Sequence, residues 1–425
     1  MRRQLGDMMT AVTDTPKAEF RLSMLLYDTR YRSITIQFVV LLLFMAAAGW
    51  LIDNLMRNLA ALGRGIDFSF LGMRSGYDIN QALIEYSSDS THARAWLVGL
   101  LNTLLIAVLG CVSATVVGIV AGVLRLSNNW LVARLMTVYV EVFRNIPLLL
   151  WILMIFAIFS DALPTPNAFR GENATASMSF LGTVAFTNRY TAIPWVNFDT
   201  DLGWLQLGPF WLHLNLALIV LAVALGIFIN HILRKQATAR QEATGLRPVL
   251  WWKSVLALLG PLVVVLLALG AHLDIPALKG FNFTGGMQVS NSLVALWLAL
   301  TLYTGSFIAE NVRGGINAVS RGQSEAAFAL GLPAGRTMSL VILPQALRVI
   351  IPPLISQWLN LIKNSSLAIA VGYMDVRGTL GGITLNQTGR ELECMLLMMA
   401  IYLVISLIVS SLMNVFNSAV KLKER

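Results

Sequence analysis

An all-α integral membrane fold with eight transmembrane helices is what this sequence predicts, and three observations carry it. Apolar residues make up 56% of the 425-residue chain and charged residues only 12%, about half the ~25% typical of soluble domains. The mean hydropathy is +0.70. Above all, the apolar residues come in long unbroken blocks, and about 20 consecutive apolar residues span the ~30 Å hydrocarbon core of a bilayer.

The blocks are roughly 34–55, 96–124, 132–160, 209–232, 250–272, 291–312, 339–362 and 391–419. Period does not separate strand from helix in a continuous apolar run, but runs of this length are helices. A transmembrane β-barrel shows segments of about ten residues alternating in polarity, and none is found. The first block follows thirty-three mostly polar residues and is longer than the 7–15 residues of a signal-peptide core, so it reads as an uncleaved anchor.

The formal net charge of +9 does not point to a nucleic-acid partner, because lysine and arginine cluster between the blocks. With the N-terminus inside, segments 1–33, 125–135, 234–253, 313–338 and 420–425 hold nineteen of them. The opposite segments 54–95, 161–208, 273–290 and 363–390 hold ten. The positive-inside rule then expects both termini, and the segment between blocks six and seven, in the cytoplasm.

Several chemistries find no support. Cys111 and Cys394 lie inside apolar blocks and read as small buried hydrophobes, not as a disulfide framework. His92, His213, His231 and His272 show no i, i+3 or i+4 pairing, so no metal site is expected. None of the seven lysines follows a glycine. The phosphate-binding Gly-Lys of a Walker A loop is therefore missing, and no ATP hydrolysis by that route is expected of this chain.

The segment between blocks six and seven reads Glu325-Ala326-Ala327-Phe328-Ala329-Leu330-Gly331, with Val341-Ile342-Leu343-Pro344 further on. Gln323 or Ser324 is expected to cap a short helix with Glu325 in its first turn, complementing the helix dipole. The alanines favour helix and permit close approach by a partner. Gly331 suits the left-handed position that ends a helix, and Pro333 prevents its resumption, so the chain should re-enter the membrane near residue 339. Glu141/Arg144 and Glu310/Arg313 stand three apart, so each pair is placed to meet on one helix face, as a gating or coupling contact or as an interface anchor. Pro147, Pro344, Pro352 and Pro353 free backbone groups inside blocks, which is tolerated where neighbouring helices or a wet cavity satisfy them.

The Glu325-to-Pro344 pattern resembles the EAA loop of ABC-importer permeases, with Val341 in place of the usual Ile. Gly99-Leu-Leu-Asn-Thr103-Leu104, Tyr139-Val-Glu141-Val-Phe-Arg144-Asn145-Ile146-Pro147-Leu148-Leu149 and Lys363-Asn364-Ser365-Ser366-Leu367 resemble segments of the polar and general L-amino-acid importer family. Asn145, Ile146 and Trp151 depart from its commoner Gly, Thr and Gln and look like its large branch. The match covers about 95–160 and 291–419.

The resemblance implies a type I importer permease core of five helices, plus one N-terminal helix and a two-helix insert. On that reading 1–33 is a cytoplasmic segment and 34–94 the extra helix with its outer loop. Residues 95–160 and 291–419 form the core with a coupling loop at 320–344, 161–290 form the insert, and 420–425 are a cytoplasmic tail. Two helices in the insert preserve the direction of the core helices beyond it. The outer loop 161–208, with Tyr190, Trp195, Phe198 and Trp204, reads as a folded periplasmic cap or docking surface, or as a plain variable loop.

By the same resemblance, the chain would be a non-catalytic subunit of an importer in the bacterial inner membrane. Its implied partners are a second permease subunit, an ABC ATPase dimer, a periplasmic amino-acid-binding protein and the bilayer. No cofactor would bind this chain, and ATP and Mg would sit in the ATPase. Glu325, Ala326, Ala327, Gly331, Leu343 and Pro344 would carry the coupling. An amino-acid substrate needs donors and acceptors at mid-membrane depth, and Thr304, Ser306, Asn360, Asn364, Ser365 and Ser366 are available, with ordinary interhelical hydrogen bonding as the alternative role. A permease for another small solute, an ion-coupled carrier and a channel subunit are the competing classes. The carrier would show inverted repeats and midplane carboxylates, and neither is evident.

Overall fold

The computed structural model describes residues 24–420, apart from Asp28, Leu62, Arg64, Glu172, Asn173, Gly208, Pro209 and Arg247. Much of the expected 1–33 segment, and the tail from 421, lie outside the described residues. The chain divides into two units, ending and beginning at Phe68 and Ser69. The first holds the short α1 (Met24–Tyr27) and α2 (Thr29–Ala61). α2 is long and apolar enough to cross a membrane.

The second unit holds the bundle. α3 (His92–Leu124) begins at Thr91, whose hydroxyl accepts from the Arg94 N–H at 3.2 Å. α4 (Trp130–Asn145) starts under Asn129, whose side-chain oxygen accepts from Leu131 and Val132, and α5 (Leu148–Ala157) follows. Block 132–160 is thus not one straight helix, since α4 and α5 bend by 105°. Pro147 is the cause. A proline expels the preceding residue from helical geometry, and Ile146 is extended at φ −105°, ψ 135°. Seven described helices are long and apolar enough to span, and the bent pair makes an eighth if counted as one.

The insert contributes α6 (Leu214–Thr244) and α7 (Trp251–Ala268). α6 outruns its predicted end at 232 because no glycine or proline intervenes before Gly245. There a left-handed φ of +71° closes the helix, and the Gly245 N–H donates to Gln241 O. Gly226 lets the two helices touch, since a Cβ there would lie 2.8 Å from Leu258 O.

The rest of the insert is folded into short antiparallel strands. β1 (Ala185–Phe186), β2 (Tyr190–Ile193) and β9 (Met287–Ser290) form an antiparallel sheet in the order β1-β2-β9, with Tyr190 opposite Ser290. β3 (Trp195–Phe198) pairs with β6 (Ala271–Asp274), β4 (Trp204–Leu207) with β5 (Phe210–His213), and β7 (Ala277–Lys279) with β8 (Asn282–Thr284). Strands from before α6 therefore pair with strands from after α7. Ala185, Ala192 and Phe283 form a small core beneath them.

The remaining elements are α8 (Asn291–Asn317), α9 (Arg321–Ala329), α10 (Ala334–Thr337), α11 (Leu343–Asn364), α12 (Val376–Gly378), α13 (Leu385–Thr388) and α14 (Glu391–Val420). α8 is the central post, packed by α3, α4, α5 and α11. Its seam with α3 is lined by small residues. Ala114, Gly118 and Gly122 recur every four residues on the face of α3 toward α8, while Gly110, one turn earlier, faces Leu361 of α11. A Cβ on Gly118 would sit 2.5 Å from the Ile308 Cβ, and one on Gly122 would sit 2.6 Å from Ala309 O. Small residues at such spacing are how helices approach closely in lipid. Gly315 does the same for α11, where a Cβ would meet Ile350 Cγ1.

Gly122→Leu is therefore expected to destabilise the detergent-solubilised protein by about 1–3 kcal/mol or more through overpacking. Gly314→Ala, where an added Cβ meets nothing within 4 Å, should be neutral or stabilising by up to ~1 kcal/mol through helix propensity. Equal unfolding midpoints for the two variants would refute the close-packed seam.

Candidate functional site

The segment expected to couple is an elbow between α8 and α11. Its helix begins earlier than predicted. Ser320, not Gln323 or Ser324, occupies the N-cap position, and α9 already runs from Arg321. Glu325 therefore sits mid-helix and exposed, not in the first turn. The reason is local. Ser320 at φ −61°, ψ 141° makes the turn out of α8, and the helix starts there despite Gly322 in its first turn.

The end of α9 is as predicted. Gly331 adopts φ +77°, its N–H donates to Phe328 O at 2.9 Å, and the Leu332 N–H donates to Ala327 O at 3.1 Å. These two bonds make a Schellman closure. Ala327 is buried against the elbow, whereas Ala326, Phe328 and Leu330 face outward, Leu330 at 83% exposure. The chain resumes helix at Ala334, five residues before the predicted re-entry, with Pro333 as N-cap. A π-helical turn over Met338–Ile342 follows, in which the Leu343 N–H reaches back to Met338 O. Pro344 has no N–H to donate, and the wide turn just before it absorbs the missing bond. Leu343 is exposed and Pro344 half-buried. Gln345 Nε2 bonds both Gln323 Oε1 and Val341 O, tying the elbow to α11.

Beside the elbow, the end of α8 carries a charge cluster. Glu310 and Arg313 pair as expected, with two guanidinium bonds at 2.5 and 3.2 Å. The expected Glu141–Arg144 pair does not form among the described residues. Arg125, at the end of α3 and overlooked in the sequence, takes Arg144's place. It donates to Glu310 at 2.5 Å and lies 3.9 Å from Glu141. Arg144 instead lies over the Phe307 ring at 5.3 Å. A guanidinium on an aromatic face is a favourable alternative to a carboxylate.

The polar residues proposed for the path separate into two sets. Thr304 and Ser306 are buried in α8, with the Ser306 hydroxyl donating to Tyr303 O. Ser365 and Ser366, just past the end of α11, donate back to Ile362 O and Lys363 O of that helix. Asn360 is exposed, on a face of α11 shared with Pro353, Ser356 and Lys363, and Asn364 is half-buried beside it. The structure does not gather the six into one pocket.

It shows instead a network that sequence reasoning missed. Ser113 meets Thr301 at 2.7 Å and accepts from Trp297 Nε1 at 3.0 Å, while Trp358 Nε1 donates to Thr115 at 2.9 Å. The available signal was tryptophan inside apolar blocks, because a buried indole N–H seeks an acceptor.

The Gly99-to-Leu104 motif gains a physical reason. A Cβ on Gly99 would lie 2.8 Å from Asp375 O. Asn102 donates to Gln81 O and Met374 O, and Thr103 accepts from the Val376 N–H. The motif clasps the loop before α12. In that loop the carboxylate of Asp375, fully buried, accepts from the Gly378 N–H at 2.8 Å and Tyr402 OH at 3.3 Å. No cluster of His, Cys, Asp and Glu suited to a metal ion occurs among the described residues.

Residues 247–422 match the family described as the inner membrane component of binding-protein-dependent transport systems. A glutamate/glutamine/aspartate/asparagine transport permease, BztB of Rhodobacter capsulatus, is 61% identical over 98% of this chain and 100% of its own length. The general L-amino-acid permease AapQ of Rhizobium johnstonii is 44% identical over 94% of this chain and 95% of its own. The glutamate/aspartate permease GltK of Escherichia coli is 31% identical over 48% of this chain and 88% of its own. The chain belongs to the integral membrane permeases of amino-acid ABC transporters. It is a multi-pass permease subunit of a binding-protein-dependent import system.

Burial raises the Asp375 pKa from 3.8 to about 6, against the lowering effect of the Gly378 and Tyr402 hydrogen bonds. The stability this group contributes is complete below pH 3.8 and is lost as pH rises through 6, on the order of 2–3 kcal/mol by linkage. Asp375→Asn keeps an acceptor for Gly378 and removes the charge. The variant should gain stability relative to the parent as pH climbs from 4 to 7, read as the difference between their unfolding midpoints. A difference independent of pH would show that Asp375 does not titrate there.

Proposed function

We propose that this chain forms half of the translocation path of an ATP-driven importer of polar L-amino acids, taking acidic residues and their amides. The single observation that carries the mechanism is the α9 elbow. It is closed by its own hydrogen bonds at Gly331, exposes Glu325, Phe328 and Leu330, and is joined through a continuous helical turn to α11. A partner pressing on α9 therefore moves a bundle helix and not a slack loop. The substrate class rests on the full-length likeness to a permease named for glutamate, glutamine, aspartate and asparagine.

In this reading the elbow and both termini face the cytoplasm, where an ABC ATPase dimer carrying ATP and Mg docks on Ala326, Phe328 and Leu330. The β-strand cap faces the periplasm and the binding protein. A second permease subunit, a paralogue, covers the open face of α11 at Ser356, Asn360 and Lys363. The Arg125–Glu310–Arg313 cluster, with Glu141 beside it, clamps the ends of α3, α4 and α8 next to the elbow, so that a push on α9 reaches all three. Transport then alternates between states that ATP and loaded binding protein favour differently.

The test is uptake of labelled glutamate, glutamine, aspartate and asparagine into proteoliposomes holding the whole complex and its binding protein. Uptake should require ATP. Gly331→Asp with Glu325→Ala should lower it at least tenfold while the complex still assembles. Uptake driven by an ion gradient without ATP would overturn the reading.

A further inference from the structure

We propose that the outer face of α7 is a binding groove for one anionic phospholipid. The α6–α7 hairpin packs mainly within itself, and α7 turns an apolar face away from α6. Trp251, Val255, Leu259 and Val263 repeat every four residues along it. With Trp252 and Gly260 they line a shallow apolar groove of about 420 Å³. Gly260 forms its floor, since the nearest atom to a Cβ there is Leu256 Cδ2 at 3.9 Å. From Trp251 to Val264 the groove runs about 20 Å at 1.5 Å per residue. One leaflet of a ~30 Å hydrocarbon core is about 15 Å deep, so the groove is long enough to hold one acyl chain along its whole depth in a leaflet.

Charge selects the headgroup. Lys253 is exposed at the groove's end, with its ammonium 5.3 Å from the Trp252 ring centre. α6 runs antiparallel, with Gly226 opposite Ala257 and Leu258. Counting outward from that contact brings Arg234 and Lys235 level with the start of α7, and both are exposed. This end of the hairpin also bears Arg240 and, as its sole acidic residue, Glu242. The other end carries Asp199, Asp201 and Asp274, the first two beside His272 at 3.3 Å and His213 at 3.5 Å. A phosphate is therefore attracted at the Trp251–Lys253 end and repelled at the other. Each Lys or Arg near an anionic headgroup strengthens the attraction, and indole rings favour the headgroup level. The occupant that fits is a phospholipid with an anionic headgroup at Lys253 and an acyl chain over Gly260.

Native mass spectrometry of the delipidated whole complex tests this, with palmitoyl-oleoyl phosphatidylglycerol or phosphatidylcholine added in turn. The unaltered complex should retain phosphatidylglycerol at least fivefold over phosphatidylcholine. Gly260→Leu, which fills the groove and favours helix, should remove one retained phosphatidylglycerol. Arg234→Gln with Lys253→Gln should reduce the preference below twofold. The same spectra report assembly, and the comparison of lipids on the unaltered complex needs no variant. Equal retention of the two lipids, or retention untouched by Gly260→Leu, would overturn the site. So would crosslinking of a Val255→Cys variant to another protein subunit, which would show that protein and not lipid covers this face.

Discussion

The close approach of α3 and α8 is the constraint on which the rest of the bundle depends. Lipid tails are as apolar as leucine, so burying apolar surface does little to hold two helices together in a bilayer. Contact distance and hydrogen bonds decide the association. The glycines at 118 and 122 bring backbone against backbone, and other contacts follow along α3. Ser113 reaches Thr301 and Trp297 on α8, and Arg125 reaches Glu310. Gly99 at the far end admits the loop around Asp375. A separation of one side-chain width would break the contacts with α8 together.

Two irregular stretches of backbone accompany prolines. The π-helical turn at Met338–Ile342 precedes Pro344, and the break at Ile146 precedes Pro147. In both cases proline removes a donor, and the chain widens or bends to avoid an orphaned carbonyl at membrane depth. These two breaks also lie where bundle helices meet the elbow and the charge cluster. α3 and α8, which must stay in register, contain no proline.

The insert follows a different logic. Its strands pair across α6 and α7, so the segment before the hairpin and the segment after it close into one folded module. The hairpin's opposite ends differ in charge, basic near Arg234 and acidic near Asp199. An element with two unlike ends has a defined direction in a membrane with unlike faces.

Much of this was legible in the residues themselves. Block length determined the spans, because the hydrocarbon thickness sets how many apolar residues must be consecutive. Gly331 and Pro333 determined the end of α9, because only local backbone geometry is involved there. What the sequence left undecided depended on distance in space. Glu141 and Arg144 have the spacing of an ion pair, yet the cation beside Glu141 is Arg125, from another helix. The six polar residues proposed for a path shared a composition, not a pocket, since burial depends on which face of α8 or α11 meets a neighbour. Asp375 was a plain loop aspartate until Gly99 and Tyr402 closed around it. Sequence by itself determined much of what one helix or turn settles alone, although it misplaced the start of α9, which is capped at Ser320. Tertiary structure decided every pairing between elements, because side chains on different helices meet only once close packing has set the distance between their backbones.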